Sequence, residues 1–144
     1  MSDTLHIVCP ACSSTNSLPR NKLTDHPVCG KCKQLIFNGR PLELTGHNFT
    51  KHINNDQIPV LVDFWAAWCG PCKIMSPVFE EAAARLEPYV RVAKLDTEKE
   101  QGIAARYNIR SIPTMIIFKK GKEKARQSGA VSLESIISWV QANS

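Results

Sequence analysis

From residue 42 onward, apolar and polar positions alternate between the period of a strand and the period of a helix. Leu42-Glu43-Leu44 reads as a short strand, and a polar helix follows over about 48–54. Residues 59–66 are apolar except for Asp63, as expected of a strand covered on both faces of a parallel sheet. Met75, Val78, Phe79, Ala82, Ala83 and Leu86 then recur at helical spacing, with Glu80, Glu81 and Arg85 opposite them. Pro77 inside that helix predicts a kink. A strand at 90–95, a helix at 98–107 and a β-branched strand at 114–118 come next. Lys120-Gly121 turns the chain into an edge strand at 122–128. Ser132 caps a last helix whose stripe is Leu133, Ile136, Ile137 and Val140. The order βαβαβαββα predicts an α/β fold, a sheet with helices on both faces.

The first 40 residues follow neither period. They are rich in turn formers (Pro10, Asn16, Pro19, Asn21, Pro27, Gly30, Asn38, Gly39) and poor in large apolar residues. A segment this small rarely closes a core without a metal or disulfides. Gly39-Arg40-Pro41 breaks whatever precedes it, so two domains are expected, 1–40 and 41–144.

Composition narrows the function classes. With 144 residues, 43% apolar and 22% charged, the chain is neither disordered nor membrane-spanning, since no run nears the roughly 18–20 apolar residues of a span. The N-terminus lacks a basic start and an apolar stretch, so no secretory signal is visible and a cytoplasmic location is expected. In a reducing compartment six cysteines point to metal or redox chemistry more than to a disulfide framework. The net charge of +5 is shared, +2 before residue 46 and +3 after it, which does not argue for nucleic acid. Lys119, Lys120, Lys122, Lys124 and Arg126 crowd one edge without aromatic residues to stack bases, and read as a charge-protected strand.

Cys69-Gly70-Pro71-Cys72 lies between the strand at 59–66 and the helix beyond it. This spacing places Cys69 at the positive end of a helix, where a thiolate is favoured, and Cys72 on the buried stripe. Cys69 should be exposed and acidic, and Cys72 shielded. Cys69 would attack a substrate disulfide, and Cys72 would resolve the mixed disulfide. Gly70 admits a second chain, Pro71 suits the first helical turn, and Trp68 offers a rigid apolar surface. The alternative for an isolated pair is a zinc knuckle or two inert thiols. Asp63, a carboxylate in an apolar strand, is suited by desolvation to take the proton of Cys72. Lys94 on the neighbouring strand either tunes Asp63 or lies on the surface.

Cys9-x-x-Cys12, sixteen residues, then Cys29-x-x-Cys32 fits a four-cysteine zinc ribbon whose single ion is structural and not catalytic. The ribbon's expected roles are docking partners, sensing oxidants by ejecting zinc, or stabilising the neighbouring domain. Two disulfides or a reactive thiol cluster are the alternatives. His6 and His26 are not expected to ligate, and His47 and His52 read as surface residues.

Residues 58–73, IPVLVDFWAAWCGPCK, resemble the active-site region of thioredoxin, and the likeness continues through 92–94, 109–114 and 128–130. The resemblance implies a thioredoxin fold, a central mixed sheet flanked by helices. It implies a redox-active Cys69–Cys72 disulfide and a cis peptide at Ile112-Pro113. It also implies a client groove formed by Trp68, Gly70, Pro71, Ile112, Pro113 and Gly129. Gly-Pro between the cysteines is the family's reductant variant, and Ala67 departs from the acidic residue or proline of many members. Together with the ribbon, the chain resembles the zinc-containing second thioredoxin of bacteria. That likeness implies a protein-disulfide reductase with disulfide-containing client proteins, expected in the cytoplasm and as a monomer. Such a protein binds no nucleotide or flavin and is itself reduced by NADPH-dependent thioredoxin reductase. The competing expectation is a redox-gated zinc-ribbon module acting as adaptor or holdase.

Overall fold

The computed structural model describes residues 3–144. Beyond residue 41 the strands are β3 (Leu42–Glu43), β4 (Val60–Trp65), β5 (Arg91–Asp96), β6 (Thr114–Lys119) and β7 (Lys122–Ser128). The helices are α1 (Phe49–Asn55), α2 (Gly70–Leu86), α3 (Gln101–Arg106) and α4 (Leu133–Asn143). The strand order is β3-β5-β4-β6-β7. The apolar run that predicted a central strand is central: β4 pairs parallel with β5 and antiparallel with β6. The charged 122–128 segment is the outer edge strand, where lysines discourage pairing with other chains.

Alternation along β4 divides the core in two. Val60, Val62 and Phe64 pack with Phe49, Ile53 and Ile103 from α1 and α3. Leu61 faces the other way, into Met75, Phe79, Ile136 and Val140 of α2 and α4. With a side-chain period of two, Asp63 shares the face of Leu61 and so looks toward α2. Pro77 removes one rung of the helical ladder, yet α2 is continuous from Gly70 to Leu86. The third helix is shorter than expected, Gln101–Arg106 rather than 98–107.

The first 40 residues hold more regular structure than their composition suggests. β1 (Thr4–Val8) and β2 (Thr15–Pro19) form an antiparallel hairpin, followed by a 3-10 turn over Arg20–Lys22. Leu5, Ile7, Leu18, Leu23 and Ile36 form a small core that also takes in Ile58, just ahead of β4. Gln57 extends the contact, its N–H donating to His6 O (2.9 Å) and its Oε1 accepting from His6 N (2.8 Å).

Candidate functional site

The chain leaves β4 at Trp65, crosses a short loop and meets Cys69 at the N-cap of α2. Cys69 and Cys72 are joined as a disulfide. The Cys72 N–H donates to Cys69 Sγ at 3.2 Å, so an orphan amide of the first helical turn points at this sulfur. The dipole of a 17-residue helix adds positive potential at the same place. Both cysteines are 4% exposed, which corrects the expectation of an exposed Cys69. In the disulfide its sulfur turns inward toward Cys72 and sits 3.7 Å from Ile112 O, packed with Ala66. The rim is open instead: Ala67, Trp68, Gly70, Pro71 and Ile74 are exposed, and nothing lies within 4 Å of a Cβ built on Gly70.

Below the dithiol is a cavity of about 220 Å³ lined by Asp63, Trp65, Cys72, Phe79, Lys94 and Pro41 among others. Asp63 is 5% exposed, and its Oδ1 has no hydrogen-bond partner among the described residues. Burial pushes its carboxyl up from 3.8 to about 7, and the Lys94 ammonium partly opposes that. Lys94 stands directly across from Asp63 in the β4–β5 register, with its Nζ 5.4 Å from the centre of the Trp65 ring. A carboxyl poised near neutrality beside a buried thiol is equipped to exchange a proton with it.

The other candidate residues gather on the opposite side of the sulfur pair. Ile112-Pro113 is cis. The Gly129 N–H donates to Pro113 O at 2.8 Å, tying the β7–α4 turn to that loop, and Gly129 has a φ of +96° that favours glycine. Trp68 is 68% exposed, and its indole N–H donates to Glu98 Oε1 at 2.7 Å. A shallow depression between Trp68, Thr97, Arg110, Ser111 and Ile112 runs beside the disulfide. Sequence reasoning missed Glu98, which fixes the tryptophan ring, and the exposed Ile74 on the rim. Neither carries a motif, since Glu98 is one acid among several and Ile74 falls off the buried helical stripe.

In the ribbon, the sulfurs of Cys9, Cys12, Cys29 and Cys32 lie within 4.8 Å of one another. Cys9–Cys32 and Cys12–Cys29 are each separated by 3.6 Å, and none of the four is disulfide-bonded. Zinc held at about 2.3 Å by four thiolates in a tetrahedron requires sulfurs about 3.8 Å apart, so the donor set fits one ion. The knuckle amides are already turned inward: Ala11 N–H donates to Cys9 Sγ and Lys31 N–H to Cys29 Sγ. Amide donors from Cys32 and the Asn16 side chain bring the Cys29 thiol down to about 6, whereas burial pushes Cys9 up to about 12. Neither His6 nor His26 belongs to the cluster. His52 is not a surface residue as expected: it is fully buried, with Nδ1 2.9 Å from Asp56 Oδ2.

Comparison with known proteins agrees with this geometry. The family model for thioredoxin matches residues 40–142, and the model for the thioredoxin 2 N-terminal zinc ribbon matches residues 8–34. Thioredoxin C-3 of Corynebacterium nephridii is 45% identical over 134 residues, covering 93% of this chain and 92% of its own. The chloroplastic M-type thioredoxin of Spinacia oleracea is 37% identical over 92% of this chain and 72% of its own. A thioredoxin of Pyropia yezoensis is 45% identical over 67% of this chain and 90% of its own.

Proposed function

The chain belongs to the thioredoxin family, and from that premise we propose the division of labour among its residues. It is a protein-disulfide oxidoreductase with a zinc ribbon, working through the Cys69–Cys72 couple. In our reading, residues 1–40 are the ribbon and 41–144 the catalytic domain.

In the dithiol form, the Cys69 thiolate attacks one sulfur of a client disulfide. That bond breaks, a mixed disulfide forms on Cys69, and the departing client thiolate takes a proton from water. Asp63 accepts the proton of Cys72, whose thiolate attacks Cys69 Sγ and displaces the second client thiolate; that thiolate is protonated in turn, and Asp63 gives up the proton it took. The client gains two electrons and two protons as two thiols, and the enzyme is left as the disulfide. The N–H of Cys72 and the helix dipole make Cys69 the sulfur that ionises first. Lys94 keeps Asp63 from rising further, so the carboxyl can still ionise near neutral pH. The observation that carries this reading is the buried, unpartnered Asp63 sharing one cavity with Cys72.

The client backbone lies extended along Ile112, Pro113 and Gly129, with Trp68, Gly70 and Pro71 as the apolar rim. Cys9, Cys12, Cys29 and Cys32 hold one zinc ion, which supplies cross-linking and no chemistry, because four ligands leave no open position. Electrons reach the disulfide from an NADPH-dependent thioredoxin reductase. No helix among the described residues is long and apolar enough to cross a membrane. The location we propose is the cytoplasm, where a reductase of this family has NADPH-derived electrons to draw on. Reduction of insulin disulfides by the whole chain, driven by NADPH and thioredoxin reductase, tests the assignment. Wild type is expected to turn over and Cys69→Ser to be inactive. Sustained turnover by Cys69→Ser would refute it.

A further inference from the structure

Four buried charged or titratable side chains outside the catalytic site converge where the ribbon meets the catalytic domain. Arg91, the first residue of β5, is 1% exposed. Its Nη2 donates to Val8 O at 2.9 Å and its Nη1 to Ile36 O at 3.0 Å. The guanidinium also lies 4.8 Å from the centre of the Phe37 ring. Behind it, Glu87 Oε2 is 3.4 Å from Nη1 and Asp56 Oδ2 is 3.8 Å from Nε. Asp56 in turn accepts from the Val8 N–H at 2.7 Å and is held by His52. Glu87 Oε1 accepts from the Gly39 N–H at 3.0 Å.

Val8 therefore has both backbone groups bonded by charged side chains of the other unit, and Val8 immediately precedes Cys9. Ile36 stands four residues past Cys32. The two segments that frame the sulfur cluster are pinned by one arginine. The ribbon supplies the carbonyl partners of both terminal nitrogens of this buried guanidinium. Its Nε has no hydrogen-bond partner among the described residues and only the Asp56 carboxylate 3.8 Å away to offset its burial. A ribbon of this size has little to fold around once its metal is gone.

We propose that Arg91, backed by Asp56 and Glu87, is a positioning residue that couples zinc occupancy to the folding of the catalytic domain. The proposal rests on the ribbon's reading as a zinc site. Zinc that binds only the folded ribbon also stabilises whatever is docked on it, by mass action. Cutting the latch leaves two units that melt separately. The ribbon then also surrenders its ion more readily.

The three tryptophans, Trp65, Trp68 and Trp139, all lie beyond residue 41, so indole fluorescence reports the catalytic domain alone. The reduced whole chain is melted with zinc bound and after chelation, as wild type and as Arg91→Met. In the wild type, chelation is expected to lower the fluorescence midpoint by roughly 5 °C or more. In Arg91→Met the midpoint is expected to be zinc-independent, with transfer of zinc to a chromogenic chelator at least about tenfold faster, the ratio that about 1.4 kcal/mol represents. A purely local packing role would lower the midpoint yet leave its zinc dependence intact. That result, or a wild-type midpoint indifferent to zinc that is demonstrably bound, overturns the proposal. A wild type that holds no zinc would instead refute the ribbon reading. If Arg91→Met does not fold, hydrogen exchange on the wild type decides. Chelation should accelerate exchange at the Asp56 and Arg91 amides, and acceleration confined to residues before 41 would contradict the latch.

Discussion

Replacing Asp63 with asparagine isolates the free energy stored in the buried carboxyl. The substitution keeps the shape of the side chain and removes the charge, and Oδ1 has no hydrogen-bond partner among the described residues to lose. An acid raised from 3.8 to about 7 is protonated in the folded state and ionised in the unfolded chain between those limits. The folded state then binds more protons, so stability falls as pH rises through that window. At about 1.36 kcal/mol per decade of proton affinity, the interval amounts to about 4 kcal/mol once pH exceeds 7. Asp63→Asn is expected to match wild type near pH 4 and to exceed it by about 4 kcal/mol at pH 8. Urea denaturation of both oxidised proteins at pH 4, 6 and 8 measures this, and other titrating groups cancel in the difference. A stability gain that is the same at all three pH values would show that the carboxyl is not ionised at a cost. The same variant should reduce insulin more slowly at neutral pH, because Cys72 has lost its proton acceptor.

The remaining expectations concern separate parts of the chain. Cys72→Ser should accumulate a mixed disulfide between Cys69 and a client, seen as a dithiothreitol-sensitive adduct on a non-reducing gel. No adduct would argue against Cys69 as the attacking sulfur. Cys29→Ser should reduce bound zinc from one ion per chain to none, or to a readily chelated trace, in a metal analysis of the reduced protein. Leu61→Ala, at a fully buried position in the α2–α4 core, should destabilise the protein by about 3 kcal/mol in urea titration while the zinc content is unchanged.

Much of this architecture is legible in the chain because each element carries its own period. β4 reads as a covered strand, and it is the middle strand of five. The one polar residue in that strand, Asp63, is the buried carboxyl beneath the dithiol. Cys-Gly-Pro-Cys at a strand–helix junction gives the site, and two further Cys-x-x-Cys pairs give the metal cluster. The features that stay hidden in the sequence depend on contacts between segments far apart along it. His52 belongs to a short helix that looks polar, and only the ribbon packed on its end makes it a core residue. Arg91 looks like an ordinary charged residue at the start of a strand until Val8 and Ile36 arrive to accept its donors. The β1–β2 hairpin is inconspicuous because each strand has only five residues and β2, Thr15–Pro19, carries a single large apolar residue, Leu18. Helix geometry places Cys69 at an end and so suggests a surface position. The oxidised pair instead faces inward under Ile112.

The unequal acidity of the two active-site thiols is the claim on which catalysis rests, and alkylation of the reduced protein across pH measures it directly. With each cysteine followed by peptide mass analysis, Cys69 should be modified first, with an apparent pKa well below the ordinary thiol value of about 8.5. Cys72 should lag at every neutral pH. Equal, slow modification of both, titrating at or above that ordinary value, would contradict the account.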